Sequence, residues 1–179
     1  TITSTLDAVG NVLAVTDPLG HVTHYTYDVL NRLTQVTDAL SGTVTYGYDA
    51  NGNRTSMTDT NGHIRTFEYD AADRLVAETD PLGASTLFGY DAAGRQTSRQ
   101  DADGVTTNYL YDARARLTGV QAPAIAITHT YDLVGNRLAL ADSTGVTAYT
   151  YDSLGRPTRI EQPGGVLVYS YDALNRRMM

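Results

Sequence analysis

Residues 22–42 read VTHYTYDVLNRLTQVTDALSG, and this stretch decides the fold. Thr, Val and Tyr dominate it, which favours strands, and no apolar face recurs at helical spacing. A turn signal opens at Asp28, directly after Tyr27, and strand-type residues resume at Leu33. The same Tyr-Asp pair returns at Tyr48, Tyr69, Tyr90, Tyr111, Tyr131, Tyr151 and Tyr171. The first five pairs are spaced by 21 residues and the last three follow at 20. Leu6-Asp7 sits one period earlier as a degenerate copy. A fixed period of this size marks one supersecondary unit stacked many times, so function must come from the stack as a whole.

Each repeat carries two turn signals. The first reads Asp-x-x-Gly-Arg in its cleanest forms, Asp91 to Arg95 and Asp152 to Arg156. Asp at the first position of a type I turn accepts bonds from backbone N–H groups, and Gly at the fourth takes the left-handed conformation of a bulged turn. Asn31, Asp73 and Asn175 replace that Gly with residues that tolerate this conformation, whereas Ala115 tolerates it poorly. In two copies, Gly52-Asn53-Arg54 and Gly135-Asn136-Arg137, one extra residue precedes the Arg. The second signal repeats the logic ten residues on. Asp17-Pro18-Leu19-Gly20 and Asp80-Pro81-Leu82-Gly83 carry a Pro that presets the turn. The runs starting at Asp59, Asp101 and Asp142 are relaxed versions. Repeat six lacks the second Asp and Gly, reading Gln121-Ala122-Pro123-Ala124, which predicts an irregular turn.

Turn signals every ten residues, with strand residues between, predict an all-β fold of tandem antiparallel β-hairpins. Residues 1–179 read as one continuous array of about eight such repeats. Side chains alternate faces along a strand, so Tyr25 and Tyr27 share a face, as do Tyr46 and Tyr48, Phe67 and Tyr69, Phe88 and Tyr90, and Tyr149 and Tyr151. His129 takes the aromatic slot before Tyr131. The return strands offer Leu33 and Val36, Leu117 and Val120, and Leu138 and Leu140. The opposite face is mostly Thr, His, Asn, Gly and Ser. One lightly apolar face and one polar face do not build a thick core. A strip of this kind would extend roughly 75 Å and twist, which predicts a long, curved, spiralling wall. The chain starts and stops inside a repeat, which reads as part of a longer protein, because a bare array exposes sheet edges.

Composition narrows the function classes. The net charge is −7, and all 13 basic residues are Arg. An acidic chain with its arginines spread along the repeats lacks the basic patch that nucleic acid requires. No apolar run approaches the length of a membrane-spanning helix, and no signal peptide is visible. Cysteine is absent, which excludes a disulfide framework.

The pattern Tyr-x-Tyr-Asp-x-x-Gly-Arg-Leu, with a second Asp-x-x-Gly ten residues on, resembles the YD repeat of Rhs proteins. That repeat also occurs in the cocoon components of insecticidal Tc toxin complexes and in teneurins. The resemblance covers essentially the whole chain and fails mainly at Leu6 and Val12, where Tyr and Arg would stand. It implies a long β-sheet spiralling into a hollow shell that, in bacterial members, encloses a C-terminal toxin domain until delivery. The implied partners are the remaining shell repeats, the enclosed toxin domain and a secretion-system or toxin-complex partner, and the implied localisation is secreted or cell-surface. No stretch matches the family's downstream core segment or self-cleaving aspartyl site.

The residues singled out form one constellation per repeat: Tyr27, Asp28 and Arg32; Tyr48, Asp49 and Arg54; Tyr69, Asp70 and Arg74; Tyr90, Asp91, Gly94 and Arg95; Tyr111, Asp112 and Arg116; Tyr131, Asp132 and Arg137; Tyr151, Asp152, Gly155 and Arg156; Tyr171, Asp172 and Arg176. The structural reading is that Asp caps the turn while Arg pairs across it or covers a tyrosine ring. The functional reading is a sugar or ion site repeated along an edge. The structural one is favoured, because function is rarely duplicated at every turn. Asp49 to Asn53 begins like a calcium loop, but Arg54 stands where Gly is required and Thr60 where the bidentate Glu belongs. His21 and His24, three apart in a presumed strand, point to opposite faces and form no metal pair. No nucleophile elbow or phosphate loop is present. The sequence therefore predicts no catalytic residues, no metal and no cofactor. The alternative function is an adhesion module that binds glycans or proteins, which would leave Tyr25, Tyr46 and their equivalents facing solvent.

Overall fold

The computed structural model describes residues 1–178, and every regular element among them is a β-strand. The chain divides into two compact units, one up to Leu87 and one from Phe88 onward. The first holds β1 (Thr3–Leu6), β2 (Val12–Thr16), β3 (Val22–Tyr27), β4 (Leu33–Thr37), β5 (Thr43–Tyr48), β6 (Arg54–Thr58), β7 (Ile64–Tyr69), β8 (Leu75–Thr79) and the start of β9 (Ser85–Tyr90). The second holds the end of β9, then β10 (Gln96–Gln100), β11 (Thr106–Tyr111), β12 (Leu117–Ala122), β13 (Ile125–Tyr131), β14 (Arg137–Asp142), β15 (Gly145–Tyr151), β16 (Pro157–Gln162), β17 (Gly165–Val168), β18 (Ser170–Tyr171) and β19 (Arg177–Met178). Within each unit, successive strands pair antiparallel with their neighbours in sequence, as a meander of hairpins.

Both turn signals of the first unit build the same five-residue turn. The Asp17 N–H donates to the His21 carbonyl at 3.0 Å, and the Gly20 N–H returns to the Asp17 carbonyl at 3.1 Å. The fourth residue takes a positive φ whatever its type. Asn31 sits at φ 60°, Asp73 at 58° and Ala115 at 61°. The turn after Asp38 puts Ser41, not the adjacent Gly42, in that conformation, at φ 69°. These turns place His21 outside β3, so its relation to His24 is not set by strand alternation.

The change of period from 21 to 20 residues has its origin in the second turns. In the last three full repeats the five-residue turn gives way to a two-residue one. Ala122 pairs with Ile125, Asp142 with Gly145 and Gln162 with Gly165. The turn at Pro123-Ala124 is thus regular and short, not irregular, and Asp142-Ser143-Thr144-Gly145 is not a relaxed copy of the longer turn. Two former turn residues now pair in the ladder, so the equivalent strand positions Gln121 and Ala126 enclose one residue fewer than Thr37 and Thr43 do, which accounts for the shorter repeat.

Most first-turn hairpins also carry a bulge, which the β18–β19 pair does not show. Tyr27 pairs with Leu33 and Thr26 with Gln35, which leaves Thr34 without a partner. The same shift recurs beside Tyr48, Tyr69, Tyr111, Tyr131 and Tyr151. A bulge inserts one residue, so residues three apart come to share a face. Tyr25 then faces Val36, Tyr46 faces Met57 and Tyr149 faces Ile160. In the repeat of Tyr131 the pair is Arg137 and Leu140, not Leu138 and Leu140. Leu138 is the bulged residue and is 42% exposed.

Each unit is a single layer without a thick core. Ala77 is the one buried apolar side chain among the described residues. The aromatic rings of the strands are half-buried. With so little apolar area removed from water, the links between hairpins matter more than they would in a globular domain.

Candidate functional site

The repeating constellation is built from the turn outward. In the turn after Tyr27, Asp28 Oδ1 accepts the Leu30 N–H at 2.9 Å and the Arg32 N–H at 3.0 Å. Its Oδ2 accepts Arg32 Nε at 2.7 Å. One carboxylate therefore caps the turn and holds an arginine. Asp70–Arg74, Asp91–Arg95, Asp112–Arg116, Asp152–Arg156 and Asp172–Arg176 repeat the pair. The Arg32 backbone N–H, ahead of its guanidinium, holds Asp28 below the usual carboxylate range, against the opposing effect of desolvation. Asp91, Asp112 and Asp172 are lowered in the same way by Arg95, Arg116 and Arg176, and the Arg156 side chain leads at Asp152.

The arginine then reaches the next repeat. Arg32 Nη1 donates to the Asp49 carbonyl at 3.0 Å, and its guanidinium lies 4.7 Å from the Tyr48 ring centroid. Arg116 does the same to the Asp132 carbonyl at 2.8 Å and to Tyr131 at 4.6 Å. Arg95 lies over Tyr111 and Arg156 over Tyr171. The arginine thus both pairs within its own turn and covers a ring, and the ring belongs to the following hairpin. Side-chain exposure agrees: Arg116 is 25% exposed, but Arg176, near the end of the chain, is 75% exposed.

The tyrosine closes the link from the other side. Tyr48 Oη donates to the Leu33 carbonyl at 2.8 Å. The β4–β5 ladder runs only from Gln35–Thr45 to Thr37–Thr43, so the Leu33 carbonyl lies beyond its end. An unpaired backbone carbonyl is costly, and the phenol supplies the missing donor. Tyr27, Tyr69, Tyr111, Tyr131, Tyr151 and Tyr171 bond equivalent carbonyls at Val12, Arg54, Gln96, Leu117, Arg137 and Pro157. Tyr90 ends β9 at the corresponding place.

Three turns depart from the pattern. Asn11, Asn53 and Asn136 occupy the arginine position, and each amide donates to its own turn aspartate, at 2.8, 3.0 and 2.8 Å. No residue is added before Arg54 and Arg137, and Val12, which pairs with Leu6, does not stand at the arginine position. Those arginines stand one position later, paired with Tyr48 and Tyr131 at the strand start. There they cover the other aromatic slot: Arg54 lies over Phe67 at 5.0 Å, and Arg137 over Tyr149 at 4.7 Å. The sequence reading missed the asparagines, although Asp-x-x-Gly-Asn at the same spacing was a visible signal. The second turns use a related pair, with Asp17 Oδ2 to His21 Nδ1 at 2.8 Å and Asp59 to His63 at 3.0 Å. His129 fills an aromatic slot with Nδ1 buried and without a hydrogen-bond partner. Desolvation, with Arg137 adding to it, pushes its pKa down.

No group of three or more His, Asp or Glu residues that could hold a metal occurs among the described residues. No helix of the structure is long and apolar enough to cross a membrane.

Comparison with known proteins matches this geometry. The RHS Repeat family matches residues 7–43, 31–64, 69–106, 90–124, 131–167 and 151–178. No curated protein matches the chain in sequence. Among solved structures, the Tc holotoxin pore of Photorhabdus luminescens shares 18% identity with a TM-score of 0.66, over 99% of this chain and 13% of that one. The TcdB2-TccC3 crystal structure shares 16% identity with a TM-score of 0.59, over 96% of this chain and 15% of that one. These likenesses give the fold, and the chain spans about a seventh of those proteins' length. The Tyr-Asp turns and the matched repeats together place this chain in the RHS Repeat family.

Proposed function

We propose that this chain is one continuous wall segment of a hollow β-shell, which encloses a toxin or effector domain within a larger secreted bacterial protein. The observation that carries this reading is the link from each hairpin to the next. Tyrosine, aspartate and arginine join neighbours along the array at the expense of a core, which suits a thin wall better than a solid domain. The turn tips support it too. Leu19, Leu40 and Leu82 are 82%, 92% and 93% exposed, and they offer apolar points on which further shell repeats would rest. A secretion-system or toxin-complex partner fits the same reading, and no enzymatic role is assigned to the array. The half-burial of Tyr25, Tyr46 and Tyr149 against their return strands disfavours the adhesion reading, which needs those rings free.

Limited proteolysis of the larger protein tests enclosure. An enclosed domain resists protease while the array is intact and becomes sensitive once Asp-to-Ala changes open the turns. A domain cleaved equally fast in both proteins would overturn the reading.

A further inference from the structure

Where an arginine occupies the turn, its guanidinium fills the space between one first turn and the next. The three asparagine turns leave that space unfilled, because the amide is too short to reach the following tyrosine. Two of them are closed by another route. Asn11 Nδ2 donates to Asn31 Oδ1 at 2.9 Å, and Asn53 Nδ2 donates to Asp73 Oδ1 at 2.7 Å, with Asn51 joining at 2.8 Å. In both cases the closing side chain belongs to the left-handed residue of the next turn. At Asn136 the facing left-handed residue is Gly155, which has no side chain to offer. A groove of about 710 Å³ opens there, lined among others by Asp132, Val134, Asn136, Tyr151, Asp152 and Leu154.

Two partners of the missing guanidinium remain in this groove. The Asp132 carbonyl accepts both the Gly135 N–H and Arg116 Nη1, whereas the Asp152 carbonyl accepts, among the described residues, only the Gly155 N–H. Among those residues, too, no guanidinium lies over the Tyr151 ring. Arg137 is committed to Tyr149, to whose Oη it donates at 3.0 Å. Val134 and Leu154, 85% and 68% exposed, flank the opening with apolar surface.

We propose that this groove binds an arginine side chain presented by a partner polypeptide. The array's own repeats are the template. The guest guanidinium lies on the Tyr151 ring, as Arg116 does on Tyr131, and donates one N–H to the Asp152 carbonyl. The Asp132 carboxylate contributes charge, and the guest's methylenes rest on Val134 and Leu154. A planar guanidinium suits this site and a lysine ammonium does not, because stacking and directed donation are needed together. The net charge of −7 favours a cationic guest. This inference does not rest on the shell reading.

The test is titration of the intact, 15N-labelled chain with the peptide acetyl-Gly-Arg-Gly-amide, followed by NMR, against acetyl-Gly-Lys-Gly-amide. Saturable shifts are expected at the amides of Asn136, Asp152 and Gly155, with the lysine peptide binding at least about tenfold more weakly. Asn136→Arg fills the groove with the chain's own guanidinium. Gly155→Asn closes it as Asn31 closes the first one, in a conformation Asn tolerates. Both variants are expected to keep their melting temperature and lose the shifts. Equal binding of the two peptides, shifts that persist in Asn136→Arg, or no saturable shifts in the parent chain would each overturn the proposal.

Discussion

Tyr48 shows how much one side chain does in a sheet without a core. Its ring carries the Arg32 guanidinium, and its hydroxyl satisfies the Leu33 carbonyl. Tyr48→Phe removes the second link and leaves the first, with an expected loss of about 1 kcal/mol in urea denaturation. An unchanged midpoint would show that water satisfies that carbonyl equally well. Acid acts on the same links. The turn aspartates have lowered pKa values in the folded chain, so their contribution is present above the ordinary carboxylate range and fades as pH falls through the folded values. His129 adds an earlier phase. Its folded pKa is also lowered, so the unfolded chain takes up the proton first and stability falls as pH drops below about 6.5. Thermal melts of His129→Phe should lose that phase, with a smaller change between pH 7 and 5 than the parent shows, while the aspartate phase remains. The pairing of Asp with Arg four residues on was readable in the sequence because it is local. The arginine's hold on the next tyrosine was not, because Arg32 and Tyr48 are far apart in sequence and the register that joins them is set by the bulge.

At the scale of the element, the hairpins themselves were legible, since Asp-x-x-Gly recurs every ten residues with strand residues between. Two details were hidden. Leu33 and Val36 are three apart and would face opposite ways in a regular strand; only the bulge at Thr34 brings them to one face. The 20-residue period was visible, but its cause was not, because Asp142 and Gly145 stand three apart, as Asp and Gly do in the longer turn, and yet pair directly. The short turns make their own demand. Gly145 sits at φ 131°, and a Cβ there would come within 2.7 Å of Pro163 Cγ in the neighbouring short turn. Gly145→Ala combines an unfavourable backbone with a clash against a rigid ring, and it should destabilise by about 1–3 kcal/mol in chemical denaturation. Adding Pro163→Gly should recover the part due to the clash. A double variant no more stable than the single one would assign the whole cost to the backbone.

For the whole molecule, the repeat family follows from the residues, and the proposed wall rests on the way the repeats are joined. A stack held together by nearest-neighbour links has no natural end, so in the shell reading proposed above its role would depend on what the stack surrounds. The most direct measurement is cryo-electron microscopy of the larger protein in which we place this array. The account predicts a thin wall of hairpins around a cavity, with weaker density inside and the Tyr-Asp-Arg links running along the wall. A filled domain, or an open sheet with its tyrosines facing solvent, would contradict it.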